Sequence, residues 1–284
     1  MCEDCGCGLS SGIPVTVSGP DHGHGDHNHP HHDHDHDHVH GHDHDHPHHH
    51  HPSESGAAER QTIELRHTIL AKNDRLAERN RGFFRARGLL VLNILSSPGS
   101  GKTTLVGETI RRLGQRLRTA VIVGDLATDN DARRLRESGA PVIQINTGTV
   151  CHLEADMVAR AFKQLDAAGL DLLIIENVGN LVCPASYDLG EDLRVVLLPV
   201  TDGEDKPLKY PPMFHLANAV IISKLDLARA CDFNREAATA NIRHIAPHAR
   251  LFELSAKTGA GLDAWCDYLV NQHEAVKHRD PLDA

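Results

Sequence analysis

The feature that most limits what this chain can fold into is a glycine-rich stretch that reads SSPGSGKTT over residues 96–104. An apolar run, residues 89–95, precedes it, and an amphipathic segment, residues 105–117, follows it. A strand, a glycine-rich turn and a helix, in that order, form the context of a phosphate-binding loop. In such a loop the backbone N–H groups and the helix N-terminus surround one anion. The stretch therefore predicts a nucleotide-binding α/β domain.

Individual loop residues have predicted roles. Lys102 would reach the β- and γ-phosphates, and the hydroxyl of Thr103 would ligate Mg²⁺. Gly99 and Gly101 permit backbone conformations and close approaches that a Cβ would hinder. The general pattern begins with a glycine, and Ser96 stands at that position here. The predicted phosphate-binding set is Gly99, Ser100, Gly101, Lys102, Thr103 and Thr104.

The other apolar runs predict a mostly parallel sheet with helices on both of its faces. Each run is followed by polar or helical sequence, which is typical of an α/β fold. A helical pattern over residues 58–80 predicts a further helix that packs onto this domain. The predicted strands are residues 89–95, 119–124, 142–145, 171–175, 193–200, 219–222 and 251–254, and the polar stretch 201–212 is predicted to be a loop.

Charge is distributed unevenly along the chain, whose formal net charge is −10. Residues 1–59 contain eleven acidic residues and no Lys or Arg, whereas residues 60–284 are nearly neutral. No overall basic field favours a nucleic-acid partner. No apolar run approaches the roughly 18–20 residues of a membrane helix, and the N-terminus lacks the pattern of a secretory signal. Seven cysteines without a disulfide-like spacing indicate reduced thiols, so we expect a cytoplasmic protein without a membrane partner.

The first 59 residues have the composition of a disordered metal-binding tail. Cys2, Cys5 and Cys7 lie close enough together to bind one soft or borderline metal ion, although incidental cysteines are the alternative. Residues 21–51 contain 17 of the 24 histidines, many alternating with Asp. Neutral imidazoles bind Ni²⁺, Cu²⁺, Zn²⁺ and Co²⁺, and an internal tract of this length differs from a purification tag. We expect a tail over residues 1–59 and a nucleotide-binding domain, with its N-terminal helix, over residues 60–284.

Two acidic residues at strand ends are candidate magnesium or water ligands. Asp125 follows the second strand, and Glu176 follows the fourth, where an Asp is more usual. Ligands bind at the carboxyl ends of parallel strands, so both carboxylates would lie beside the phosphates. Asp129 is a weaker candidate, because a helix cap explains it equally well. Gly179 would offer its backbone N–H to the γ-phosphate.

Cys151 and His152 are adjacent potential ligands for a soft metal, placed at the predicted start of a helix that runs to about residue 168. Adjacent residues on a helix point about 100° apart, so a metal ion would need further ligands from elsewhere. Cys183, four residues after Gly179, is the candidate third ligand. A buried hydrophobic role is the alternative for Cys151 alone. A thiol so close to the phosphate sensor would connect nucleotide state with metal affinity.

Two short motifs near the C-terminus predict that the base is guanine. Residues 223–226 read SKLD, which resembles the guanine-specificity motif NKxD. Asp226 would accept hydrogen bonds from guanine N1–H and the exocyclic amine, and Lys224 would lie along the face of the base. Residues 255–257 read SAK, a loop whose backbone typically contacts the guanine carbonyl oxygen. The predicted base-binding residues are Lys224, Asp226, Ser255, Ala256 and Lys257.

Taken together, these motifs resemble the HypB family of hydrogenase nickel-incorporation GTPases over essentially the whole chain. The resemblance rests on CxxCGC at the N-terminus, the His-rich tract, SSPGSGKTT, GDLATD, the Cys151–His152 pair, ENVGNLVCP and SKLD. It implies a P-loop NTPase of the signal-recognition/MinD-type class, without the MinD-type lysine at Ser97. It also implies GTP hydrolysis and delivery of Ni²⁺ to the large-subunit precursor of nickel–iron hydrogenase. We expect the hydrolysis to be slow, because the sequence shows no obvious arginine finger in cis and no strong general base.

The resemblance further implies partners and metal ligands. A GTP-promoted homodimer would carry a metal site at its interface, with Cys151, His152 and Cys183 as ligands and either Ni²⁺ or Zn²⁺ bound. The partner protein would be a HypA-type zinc accessory protein. Cys2, Cys5 and Cys7 match a tight nickel site found in some family members. Two alternatives are a nickel-storage protein with vestigial GTP binding and the urease counterpart of the same class.

Overall fold

The computed structural model describes residues 54–125 and 130–278. Cys2, Cys5, Cys7, the His-rich tract and Asp129 lie outside these ranges. A compact unit begins at Thr62. The helices are α1 (Glu54–Arg85), α2 (Lys102–Leu113), α3 (Asn130–Arg136), α4 (Ala155–Phe162), α5 (Lys206–Lys209), α6 (Pro211–His215), α7 (Arg235–Ile245) and α8 (Leu262–Lys277). The strands are β1 (Leu90–Leu95), β2 (Thr119–Asp125), β3 (Val142–Asn146), β4 (Leu172–Glu176), β5 (Leu193–Pro199), β6 (Ala219–Ser223) and β7 (Arg250–Glu253).

The seven strands form one parallel sheet in the order β3-β2-β4-β1-β5-β6-β7. β1 lies at the centre, between β4 and β5. In the register of the sheet, Glu176 at the end of β4 is paired with Ile94 of β1 and with Val123 of β2. The phosphate-binding loop and two of the predicted acidic ligands therefore emerge at the same edge of the sheet, where α/β proteins bind their ligands.

The central strands are buried on both faces, which explains their nearly continuous apolar sequence. Along β1, Leu90, Leu92 and Ile94 pack with α2, α3 and α8 on one face. Val91, from the same strand, packs on the opposite face with residues of α1 and α4, and residues of α6 and α7 pack on that face beside β5 and β6. The prediction of a parallel α/β fold with helices on both faces is confirmed.

Four predicted segments have bounds that are wrong by more than two residues. α1 is longer at both ends than the predicted helix 58–80, and α2 begins at Lys102 and ends before Gly114, whose φ of 53° stops it. α4 begins only at Ala155, because Glu154 has extended backbone angles, and it ends at Phe162 rather than near residue 168. The stretch predicted as a loop, 201–212, contains α5 and the start of α6, each with a proline in its first turn.

Among the described residues, no helix is long and apolar enough to cross a membrane.

Candidate functional site

The phosphate-binding loop connects β1 to α2 and is shaped by two glycines with positive φ. Gly99 has φ 67° and Gly101, the N-cap of α2, has φ 93°, conformations that strongly favour glycine. Lys102 is buried, and its Nζ donates hydrogen bonds to Ser96 Oγ at 2.9 Å and to the Ser97 carbonyl oxygen at 3.4 Å. The side chain of Lys102 is therefore hydrogen-bonded to residues of the phosphate-binding loop.

Ser96, which replaces the usual first glycine, contributes to the order of this loop. Its hydroxyl group accepts from Lys102 and also lies 2.5 Å from Ser100 Oγ. Burial lowers the pKa of Lys102, while the negative charges of Glu176 and Asp131 act in the opposite direction. A lysine held in this way points its ammonium group at the space enclosed by the loop, and a phosphate there would replace the serine contacts.

Thr103 and Glu176 meet as the sequence predicts for a magnesium site. Thr103 Oγ1 donates a hydrogen bond of 2.7 Å to Glu176 Oε1, and Glu176 is only 3% exposed. Its second oxygen, Oε2, is buried and has no hydrogen-bond partner among the described residues. Burial raises the pKa of Glu176 to about 7, although the bond from Thr103 and the charge of Lys102 oppose this rise. Carboxylate and hydroxyl oxygens are the ligands that Mg²⁺ prefers, so these residues fit that ion.

Two further acidic residues lie near this pair. Asp125 ends β2, next to β4 in the sheet, and its charge contributes to the raised pKa of Glu176. The charge of Asp131, in the first turn of α3, acts to raise the pKa of both Glu176 and Lys102. Sequence reasoning missed Asp131, although it considered Asp129, two residues earlier, as a weaker candidate.

Gly179 lies directly against the phosphate-binding loop. A Cβ at this position would be 2.9 Å from Pro98 Cα, closer than side-chain carbons normally approach a backbone atom. The segment after β4 can therefore contact the loop only because residue 179 is glycine. This places the predicted phosphate sensor beside the phosphate-binding loop.

The two guanine motifs meet each other and the phosphate-binding loop. Ser255 Oγ donates a hydrogen bond of 2.5 Å to Asp226 Oδ1. Lys224, which has φ 58°, donates to the Gly99 carbonyl oxygen at 2.7 Å. Ser223, which stands where Asn is usual, donates to the Ser100 carbonyl oxygen at 3.3 Å, so the motif remains connected to the loop. Ala256 and the exposed Lys257 follow Ser255 in the loop after β7.

Cys151, His152 and Cys183 form a possible metal centre. One ligand atom from each of them lies within 4.8 Å of the other two, and this is the one such group found among the described residues. The predicted difficulty with adjacent residues does not arise, because Cys151 and His152 lie in a bend before α4 and not on the helix. The three ligands therefore converge within a single chain. We call this group the cage.

His152 has the environment of a neutral metal ligand. It is 4% exposed, and neither ring nitrogen has a hydrogen-bond partner among the described residues. Burial lowers the pKa of His152, which favours the neutral imidazole that a metal ion requires. Its ring stacks on Tyr187, with centroids 3.8 Å apart and planes inclined by 25°. The Glu154 carboxylate lies 3.9 Å from Nε2.

A continuous segment connects the two sites. Cys183 follows Glu176 by seven residues, and Asn177 lies between them, buried at 1% exposure. The Asn177 Oδ1 atom accepts hydrogen bonds from the backbone N–H of Val178 at 2.9 Å and of Leu153 at 3.3 Å. Asn177, which follows Glu176, is thus hydrogen-bonded to Leu153, which follows His152.

Sequence reasoning missed Tyr187 and Asp202. Tyr187 follows the 3-10 turn that begins at Cys183, and nothing in its local sequence predicts a contact with His152. Asp202 accepts a hydrogen bond of 2.6 Å from Ser97 Oγ of the phosphate-binding loop. Its position shortly after β5, at the same edge of the sheet, is the signal that would have found it.

Comparison with known proteins agrees with this geometry. Residues 90–253 match the family model described as "CobW/HypB/UreG, nucleotide-binding domain". The chain is 50% identical over 220 residues to the hydrogenase maturation factor HypB of Azotobacter chroococcum mcd 1, which covers 78% of this chain and 72% of that protein.

Two solved structures are similar to this chain. The crystal structure of HypB from Helicobacter pylori in complex with nickel has a TM-score of 0.69 and 43% identity, covering 72% of this chain and 96% of that one. The structure of the hydrogenase maturation factor HypB from Archaeoglobus fulgidus has a TM-score of 0.67 and 40% identity, covering 72% and 99%.

Proposed function

Because this chain belongs to the HypB hydrogenase maturation factors of the CobW/HypB/UreG family, we propose that it is a GTP-hydrolysing metallochaperone. It binds nickel and delivers it to the large-subunit precursor of nickel–iron hydrogenase. The observation that carries this proposal is the convergence of Cys151, His152 and Cys183. Cys183 lies on the segment that follows Glu176, which is part of the nucleotide site.

The ligand types of the cage favour nickel or zinc over a hard cation. Two thiolates and one neutral imidazole suit borderline and soft ions, whereas Mg²⁺ and Ca²⁺ prefer oxygen. The similar Helicobacter pylori structure contains nickel, which supports Ni²⁺ as the cargo. Zn²⁺ would fit the same three ligands, and we propose it as the competing ion at this site.

The nucleotide site supplies the usual components of phosphoryl transfer. Lys102 and the N–H groups of the phosphate-binding loop would hold the β- and γ-phosphates, and Thr103 with Glu176 would hold Mg²⁺, which neutralises charge on those phosphates. Asp125 would position the attacking water or bind the ion through water. Asp226 and Lys224 would select guanine. Since the sequence offers no obvious arginine finger in cis, we expect hydrolysis to be slow.

We propose that the working form is a homodimer promoted by GTP, with its interface at the cage. Val182, which precedes Cys183, is 55% exposed. The surface beside the cage is therefore accessible to a second chain. A HypA-type zinc protein and the hydrogenase precursor are the further proposed partners, and the compartment is the cytoplasm.

The tail is proposed to store or buffer nickel. Cys2, Cys5 and Cys7 provide thiolates and residues 21–51 provide imidazoles, so several ions can be bound without a folded site. Deleting residues 21–51 separates this role from the GTPase. If hydrogenase maturation at ample nickel survives the deletion, the tract is a buffer, whereas loss of maturation would favour the storage alternative.

The proposed cage can be tested in the full-length chain. Replacing Cys2, Cys5 and Cys7 by serine leaves only thiols of the folded domain to give a thiolate-to-nickel charge-transfer band. We expect this parent protein to show the band on Ni²⁺ titration, and a non-hydrolysable GTP analogue with Mg²⁺ to change its affinity and, by light scattering, its mass. Cys183→Ala, which leaves Cys151 as the one thiol of the cage, should weaken both the band and the affinity for Ni²⁺.

The matched control is Cys231→Ala, which removes an exposed cysteine in a turn outside the cage. This variant should titrate like the parent protein. A band and an affinity that are unchanged in Cys183→Ala, or that are reduced equally in Cys231→Ala, would contradict the proposed ligands. An affinity and a mass that ignore the GTP analogue would contradict the coupling of nucleotide and metal.

A further inference from the structure

Two buried asparagine side chains of α1 connect the backbone segments on either side of the cage. Asn73 accepts a hydrogen bond from the Ala155 N–H at 2.9 Å and donates one to the Asp188 carbonyl oxygen at 2.7 Å. Asn80 donates to the carbonyl oxygens of Ala155 at 2.8 Å and Leu189 at 3.1 Å. Both asparagines are at most 6% exposed. One helix thus holds two chain segments through four hydrogen bonds.

Additional contacts bring α1 close to the second of these segments. Arg81 donates two hydrogen bonds to the Asp188 carboxylate, at 2.8 and 2.6 Å. Burial acts to raise the pKa of that carboxyl group, but the hydrogen bonds and the charge of Arg81, with the N–H of Gly190, lower it below its usual value. Gly190 has φ 88°, and a Cβ there would be 2.6 Å from the Ala77 carbonyl oxygen. The helix therefore lies on this segment at a distance that only glycine permits.

The segments held by α1 are the ones that supply the cage. Ala155 follows His152 by three residues, and Leu189 follows Tyr187, which stacks on His152, by two. Cys183 begins the 3-10 turn that leads to Tyr187. Neither ligand-bearing stretch belongs to a strand or to an α-helix. The distance between the two stretches therefore depends on the contacts made at their ends, which include the hydrogen bonds from Asn73 and Asn80.

We infer that Asn73 and Asn80 are positioning residues for nickel binding, which act by fixing the separation of the Cys151–His152 and Cys183 segments. This inference rests on the cage proposed above. Neither asparagine contacts a ligand, so both act through the backbone at Ala155 and at residues 188–189. Partners outside the first shell of a metal site commonly change metal affinity by roughly 10- to 100-fold when they are lost.

In sequence order, α1 stands between the tail and the residues of the cage. It begins at Glu54, three residues after the end of the His-rich tract, and the cysteine cluster lies further upstream. Its buried amides contact both sides of the site to which the tail's metal would pass. Any event that shifts α1 along its axis would change the shape of the cage without changing its ligands.

The experiment uses the full-length parent protein with Cys2, Cys5 and Cys7 replaced by serine, so the tail histidines compete equally in every variant. Ni²⁺ is titrated against a chelator, and the charge-transfer band of the thiolates is recorded. Asn73→Ala combined with Asn80→Ala should weaken Ni²⁺ binding by roughly 10- to 100-fold and alter the band. Lys72→Ala with Arg79→Ala, two exposed neighbours on α1, is the matched control and should behave like the parent.

A purely structural role would lower the unfolding temperature and leave the affinity and band of the folded protein unchanged. That result overturns the inference. If the double variant does not fold, Asn73→Ala and Gly190→Ala decide separately, since Gly190→Ala pushes α1 from the loop without removing a hydrogen-bonding group. Parental affinity in both of these variants also overturns it. If the parent lacks the band, or if Cys183→Ala leaves the band and the affinity unchanged, the cage itself is wrong and the inference fails with it.

Discussion

Replacing Glu176 by glutamine should make the metal-free protein harder to unfold at alkaline pH, although Glu176 belongs to the proposed GTPase site. The carboxyl group is 3% exposed, and one of its two oxygens has no hydrogen-bond partner among the described residues. Burial opposes ionisation, because the charged form loses its hydration. The pKa of Glu176 is therefore raised from 4.5 to about 7 in the folded protein.

The sign of the effect follows from the protons bound in each state. Between pH 4.5 and about 7 the folded protein retains a proton that the unfolded chain has lost. The free energy of unfolding therefore falls as the pH rises through this window, and the loss is complete above it. Each pKa unit is worth about 1.4 kcal/mol, so the full penalty is about 3 kcal/mol. Below the unfolded pKa of Glu176 there is no penalty.

Urea unfolding of the wild type and of Glu176→Gln, free of nucleotide and divalent cations, measures this penalty. From pH 5 to pH 8.5 the stability advantage of the variant should grow towards about 3 kcal/mol. The histidines are the same in both proteins, so their contributions cancel in the difference. Adding Mg²⁺ and GTP should stabilise the wild type more than the variant, because only the wild type offers the carboxylate.

The matched control is Glu236→Gln, since Glu236 is an exposed carboxylate in the first turn of α7. Its stability relative to the wild type should not depend on pH in this range. If the difference between wild type and Glu176→Gln is also constant from pH 5 to pH 8.5, burial does not hold Glu176 protonated. The description of this site as a dehydrated carboxyl group that a cation would ionise is then wrong.

Three other perturbations test separate features. Lys102→Ala should abolish GTP hydrolysis and hydrogenase maturation together, and maturation at the wild-type rate would refute the energetic role of GTP. Gly179→Ala should weaken GTP-analogue binding by roughly 5- to 150-fold, because contact of the new Cβ with Pro98 costs about 1–3 kcal/mol. Its control is Gly82→Ala, where a Cβ meets nothing within 4 Å, and equal binding by both variants would exclude the steric argument. Burial lowers the pKa of His273, so its contribution to stability is lost as the pH falls below about 6.5. His273→Leu should therefore make the free energy of unfolding in urea less sensitive to acid between pH 7.5 and 5. The same dependence of that free energy on pH in variant and wild type would contradict this.

The strands could be predicted from sequence because burial on both faces leaves a continuous apolar signal. β4, with the sequence LLIIE, is fully buried and was displaced by only one residue from its predicted position. Helix boundaries were less predictable, because tertiary contacts decide them. The apolar pattern continues past Phe162 to Leu165. Leu165 is buried, but it lies in a bend after the end of α4.

The candidate site divides in the same way. The phosphate-binding loop and the guanine motifs are short contiguous stretches, so their chemistry is visible in the sequence. The support of the cage is not, because Asn73 contacts Asp188, 115 residues away, and Asn80 contacts Ala155, 75 residues away. An asparagine on an otherwise amphipathic helix gives no signal of a distant backbone partner. The stacking of Tyr187 on His152 is hidden for the same reason.

The coupling of the two sites requires only small free energies. A tenfold change in nickel affinity corresponds to about 1.4 kcal/mol. One net hydrogen bond in a protein is worth about 0.5–1.5 kcal/mol, so loss of the bond from the Leu153 N–H to Asn177 supplies a change of this size. In the proposed coupling, a nucleotide that displaced Glu176 would move Asn177 with it, while α1 would hold Ala155 and Leu189 in place. The cage would then be deformed between a moving segment and a fixed helix. Because linkage is reciprocal, nickel must change the affinity for GTP by the same factor.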